Sequence, residues 1–140
     1  MAANPRSLDL KGIWLFSNCT QSELRKIRNS LAQATVAEGQ LLVEEGEMGN
    51  YLFLIVSGRA DVRRKGRTVA ELGPGGHFGE LSLLDREPHS ASVVCTTDMD
   101  LLILSRRHFD RLLKAVPTIT GKMFKALAAR LRASDALSYD

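Results

Sequence analysis

Five glycines at turn-like intervals, Gly46, Gly49, Gly58, Gly66 and Gly73, cut the middle of this chain into runs too short for helices. Between them stand Leu41-Leu42-Val43, Tyr51-Leu52-Phe53-Leu54-Ile55-Val56 and Ala91-Ser92-Val93-Val94-Cys95, which have strand lengths and strand residue types. Arg59-Ala60-Asp61-Val62-Arg63 alternates small or apolar with charged residues, as a half-buried strand does. Lys65-Gly66 then makes a tight turn into Thr68-Val69-Ala70-Glu71-Leu72. Parallel strands would need helical crossovers, and this zone has none. Many short strands at this rhythm predict an antiparallel β-roll, a double-stranded jelly roll, over residues 33–104.

Helices flank the roll. Thr20-Gln21-Ser22-Glu23 is a capping box, in which hydroxyl and carboxylate each take the other's backbone N–H. It opens a helix with Leu24, Ile27 and Leu31 on one face, inside a helical zone over residues 8–32. A second helical zone covers residues 105–135. Ser105 can cap a helix holding Phe109, Leu112 and Leu113, and Pro117 suits the first position of another. That last helix spaces Ile119, Met123, Leu127 and Leu131 by four, with Lys122, Lys125 and Arg132 opposite. Such a stripe packs on the roll or on a second copy, leaving homodimerisation through this helix open. The 140 residues read as a single mainly β domain with flanking helices.

Composition narrows the function. The chain is 44% apolar and 25% charged, with a net charge of +3, as in ordinary globular proteins. No apolar run approaches the roughly 20 residues of a membrane span, and the first nine residues lack a leader's apolar core. The expectation is a cytoplasmic protein with no membrane partner. Cys19 and Cys95 form no Cys-x-x-Cys pair and read as reduced, structural thiols. His77, His89 and His108 have no partner spacing for a triad or metal site, so no catalysis and no metal are expected, and His77 and His108 read as surface residues. The glycines at 73, 75 and 76 match neither phosphate-loop nor dinucleotide templates. The basic run Arg63-Arg64-Lys65-x-Arg67 reads as a solvated hairpin tip that discourages strand pairing, an argument against direct nucleic-acid binding.

The segment Gly75–Ser92, GGHFGELSLLDREPHSAS, is the most informative for function. It can bring backbone amides, one carboxylate and one potential cation to a single pocket. With the leading Leu15-Phe16, the Glu45-Gly46-Glu47-x-Gly49 turn, Ile55-Val56-Ser57-Gly58 and Phe78-Gly79-Glu80-Leu81-Ser82-Leu83, it makes the chain resemble the cyclic nucleotide-binding domains of catabolite-activator regulators and protein kinase A regulatory subunits. The resemblance runs from about Leu15 to Ser134. It implies a regulatory module that binds a cyclic nucleotide, cyclic AMP favoured over cyclic GMP, and signals to an effector protein through its C-terminal helix. No other cofactor is implied.

The same resemblance assigns roles. Glu80 would accept a hydrogen bond from the ribose 2′-hydroxyl. Gly79, without a Cβ, would admit the ligand to the backbone. Leu81, Ser82, Ser90 and Ala91 would supply amide or hydroxyl donors to the phosphate. Arg130 and Ser134 would act as a lid over the ligand, although a basic residue on an amphipathic helix is more often simply solvated. Position 89 departs from the family, which places an arginine there. A histidine offers at most two donors and is charged only near or below a pKa of about 6.5. At roughly 1.5–3 kcal/mol for a charged hydrogen bond, the exchange weakens binding about ten- to a hundredfold. Two readings follow. Either His89 becomes an imidazolium against the phosphate, or the fold has lost its nucleotide and serves as an interaction or dimerisation module. Arg86, three residues upstream, reads as a solvated turn residue that could compensate.

Overall fold

The computed structural model describes residues 8–139, with side chains described for residues 8–134. The leader-free start expected for residues 1–7 therefore lies outside the described residues. Over the described residues the chain forms two compact units, one of residues 8 and 31–106 and one of residues 9–30 with 107–139.

The first unit contains eight strands: β1 (Ala32–Val36), β2 (Leu41–Val43), β3 (Tyr51–Ser57), β4 (Ala60–Arg64), β5 (Arg67–Leu72), β6 (His77–Phe78), β7 (Ser92–Cys95) and β8 (Met99–Ser105). They pair antiparallel into two four-stranded sheets, β1-β8-β3-β6 and β2-β7-β4-β5. This is the β-roll that the glycine rhythm predicts. Alternate residues of each strand point to one face, so Phe53 and Ile55 of β3, Ala60 of β4, Val93 and Cys95 of β7, and Met99 and Leu101 of β8 meet in one apolar core with Val43 and Phe78. Phe53 and Phe78 stack there with centroids 4.7 Å apart. Lys65 and Gly66 turn β4 into β5 with φ of 51° and 76°, the paired positive angles that a two-residue hairpin turn requires.

The second unit is helical. Tight turns at Leu10–Gly12 and Trp14–Phe16 lead into α1 (Gln21–Asn29). A short helix, α2 (Glu80–Asp85), belongs to the roll; α3 (Arg106–Ala115) and the 22-residue α4 (Thr118–Tyr139) close the chain. Ser105 ends β8 and leads directly into α3, and Pro117 stands one residue before α4, not inside it. The four-residue stripe of α4 changes character along its length. Ile119 and Met123 are buried, whereas Leu131 is 58% exposed, as is Phe124 at 67%. No described helix is long and apolar enough to cross a membrane. Cys19 and Cys95 are free, buried thiols, and burial is the main cause that raises the pKa of each.

The capping box of α1 does more than cap. Thr20 and Glu23 exchange their two bonds as expected, at 2.8 and 3.2 Å. Glu23 also accepts from Thr118 Oγ1 at 2.6 Å and from Lys122 Nζ at 3.0 Å, which ties α1 to α4. The Thr118 hydroxyl, the Thr20 amide and Lys122 hold its carboxyl down at about 2, from an ordinary 4.5. Because the folded pKa is depressed, this stability is present above about pH 4.5 and is lost as pH falls towards 2. A preference of that size corresponds to about 3 kcal/mol, of which solvent screening leaves roughly 1–3. Glu23→Gln is expected to lower stability by that amount at pH 7, in urea unfolding. The gap from the unsubstituted protein should close between pH 4.5 and 2.

Candidate functional site

The segment between β6 and β7 builds a pocket against the roll. Gly79 follows β6 and caps α2 with φ of 90°, a left-handed conformation that suits glycine. A Cβ here would collide with the carbonyl oxygen of Tyr51, so the close approach of β3 is a second reason for glycine. The amide of Leu83 bonds to the Gly79 carbonyl at 3.3 Å and starts the helical turn. Arg86 ends it in the left-handed region, φ 58°, with its amide on the Ser82 carbonyl at 3.0 Å. The chain then returns along the Glu44–Gly49 turn: His89 N–H donates to the Glu47 carbonyl, and Gly46 N–H to that of His89, each at 2.9 Å.

These constraints bring the seven expected residues, Gly79, Glu80, Leu81, Ser82, His89, Ser90 and Ala91, to the walls of one cavity of about 320 Å³. Val43, Val62, Leu72, Phe78 and Val93 supply its apolar side. The volume lies at the lower end of the range for small-molecule sites. Ser82 is buried, and its Oγ lies 3.1 Å from Nδ1 of His89. The imidazole fits there because residue 49 is glycine. A Cβ on Gly49 would stand 2.5 Å from both His89 Cε1 and Ser82 Cβ. Burial lowers the pKa of His89 from its ordinary 6.5, so the imidazole is neutral at pH 7. It also lines a second hollow of about 290 Å³ that carries Glu47, Met48 and Tyr51.

Three residues of the site escaped the sequence reading. His77, expected at the surface, is half-buried in the cavity wall, with Nε2 3.5 Å from Glu80 Oε1. His77 thus stands beside the carboxylate expected to take a ribose hydroxyl. Arg64 is exposed, as expected of a solvated hairpin residue, but it also lines the cavity. Arg106 clamps the whole segment. Its Nη2 donates to Ser82 O at 2.8 Å and Gly49 O at 2.9 Å, and its Nη1 to Leu83 O at 3.1 Å. Its backbone N–H donates to Asn50 O at 2.8 Å. Nothing in the local sequence announces that role, because the carbonyls lie 23 to 57 residues away. Of the two lid residues, Arg130 lies over the Trp14 ring, 4.7 Å from its centroid, and Ser134 is exposed on α4. Arg86 is exposed and does not line the cavity.

The sequence and the architecture correspond to a known family. Residues 33–116 match the family described as "Cyclic nucleotide-binding domain". The "Cyclic AMP receptor protein" of Thermus thermophilus is 34% identical over 131 residues, 90% of this chain and 61% of its own length. Among solved structures, the N-terminal domain of a transcriptional regulator from Streptomyces coelicolor A3(2) is 29% identical with a TM-score of 0.80, covering 89% of this chain and 90% of its own. The regulatory subunit of a cAMP-independent protein kinase A from Trypanosoma brucei is 28% identical with a TM-score of 0.71, over 88% of this chain and 43% of its own. This chain belongs to the cyclic nucleotide-binding domain family, and it spans only part of the curated receptor it matches.

Proposed function

We propose that this domain is a non-catalytic cytoplasmic sensor that binds a cyclic nucleotide, cyclic AMP before cyclic GMP, in the cavity beside α2. The observation that carries the reading is the convergence of Gly79–Ser82 and His89–Ala91 on one cavity with a single family-matched carboxylate, Glu80. Glu80 takes the ribose hydroxyl. Ser82, Ser90 and Ala91 offer donors to the phosphate, with Leu81 beside them. Gly79 supplies the left-handed turn from which α2 and Glu80 start. Binding shifts a conformational population that an effector protein or a second copy reads through α4, with Arg130 and Ser134 serving as the lid.

His89 makes the affinity depend on pH. The charged and titratable groups that line the two hollows with it are His77, Glu80, Asp85 and Arg64 in the cavity, and Glu44, Glu47 and Tyr51 on its other side. Burial keeps the imidazole neutral in the free protein, and an anionic phosphate favours its protonated form. Protonation and binding therefore assist each other, and affinity should rise as pH falls from 8 to 6. His89→Arg should tighten binding about tenfold at pH 8 and flatten that dependence. Calorimetric titration with both nucleotides at both pH values measures this; equal affinities throughout would reject a role for His89.

One observation favours a second reading, an interaction module without nucleotide. His89 is neutral and engaged with Ser82 where the family has a permanent charge, and a structural relative is described as cAMP-independent. A thermal-shift titration separates the two readings. Ligand at a hundred times its dissociation constant stabilises by about 2.7 kcal/mol. No shift with millimolar cyclic AMP or cyclic GMP would reject the sensor and favour the interaction module.

A further inference from the structure

The cavity lacks an arginine at position 89 but not a guanidinium. We propose that Arg64, at the end of β4, is the residue that meets the cyclic phosphodiester anion in this pocket. The inference rests on the cyclic nucleotide reading above and deepens it.

Strand pairing puts the residue there. β4 runs antiparallel to β7 with Arg63 opposite Ser92, so the next residue of β4 overhangs the end of the segment that carries His89, Ser90 and Ala91. Arg64 is the only lysine or arginine lining the cavity among the described residues. Its Nε–H donates to the Ser90 carbonyl at 3.1 Å. That bond anchors the head at the rim and leaves the four terminal N–H donors of the planar fork for a ligand. A fork of this kind matches two phosphate oxygens at once, stays charged at every relevant pH and requires no change in the seat of His89. The neighbouring cations differ. Arg63 pairs with Asp61 at 3.6 Å, and Arg67, opposite Arg64 across the hairpin, does not line the cavity. Two carboxylates share the cavity, Glu80 beside His77 and Asp85, whose Oδ1 accepts the Glu87 amide at 2.9 Å. A cation facing an anionic ligand is thus also needed to offset their field.

The test is calorimetric titration of cyclic AMP and cyclic GMP at pH 8, where His89 is neutral, into the unsubstituted chain, Arg64→Ala, Arg64→Lys and Arg67→Ala. Arg64→Ala should weaken binding at least tenfold. Arg64→Lys, which keeps the charge but loses the fork, should weaken it about three- to tenfold and serves if the alanine variant does not fold. Arg67→Ala removes the same charge from the same hairpin and should stay within twofold. Arg64 variants that bind within twofold of the unsubstituted chain would overturn the assignment and leave the nucleotide reading standing. An equal loss in Arg67→Ala would overturn it in favour of a diffuse field. Absence of binding by the unsubstituted chain at millimolar ligand would overturn both.

Discussion

Arg106→Ala is expected to destabilise the domain by about 3–4 kcal/mol and to weaken nucleotide binding at least tenfold. The guanidinium donates to three carbonyls, those of Gly49, Ser82 and Leu83. A hydrogen bond from a charged donor contributes roughly 1.5–3 kcal/mol, and contributions that share one side chain do not add fully. Truncation leaves the last carbonyls of α2 without the cation that terminates them, an arrangement that also suits the negative end of a helix. Arg106 touches no expected ligand group, so it is a positioning residue. Its loss should show as lower stability in urea together with weaker binding, while the pH dependence of whatever binding remains keeps its shape. Arg106→Lys, with one ammonium in place of a fork, should recover only part of the stability. An alanine variant within 1 kcal/mol of the unsubstituted protein would show that the clamp is ornamental.

Gly79→Ala is the second large effect. The left-handed φ of 90° costs a side-chain-bearing residue roughly 1–3 kcal/mol. The added methyl also meets the backbone carbonyl of Tyr51, which cannot turn aside as a side chain would. Overpacking of this kind adds about 1–3 kcal/mol. Allowing for relaxation, we expect about 2–4 kcal/mol in urea unfolding. Loss of detectable cyclic nucleotide binding should accompany it, because α2 and Glu80 start from this residue. Gly75, whose φ is 84° and whose Cβ would meet nothing within 4 Å, is the control: alanine there should cost only the conformational part.

The parts of this molecule that were legible in the sequence are those governed by neighbours along the chain. The capping box at Thr20–Glu23, the Lys65-Gly66 turn and the strand runs each state their conformation within a few residues. The family resemblance marked seven of the residues that line the cavity, because those seven lie within one stretch of 13 positions, Gly79 to Ala91. Long-range geometry was not legible. Arg64 stands in a basic run that reads as a solvated edge, and only the pairing of β4 with β7 turns it towards the pocket. Arg106 follows a strand as any first residue of a helix would. His77 reads as a lone imidazole, although Glu80, the partner it meets at 3.5 Å, is only three residues on; what its neighbours in sequence do not show is its place in the cavity wall. Glu23 announced its cap but not Thr118 and Lys122, 95 and 99 residues away.

The absence of a side chain at residue 49 reaches further than packing. Since the imidazole of residue 89 occupies the space a methyl would take, these two positions form an epistatic pair. Bulk at the first requires the second to be vacated and Ser82 Cβ, equally close at 2.5 Å, to shift, so single substitutions will misjudge what the positions can do together. A double-mutant cycle across them should depart from additivity, and any attempt to redesign this binding site must move through both at once.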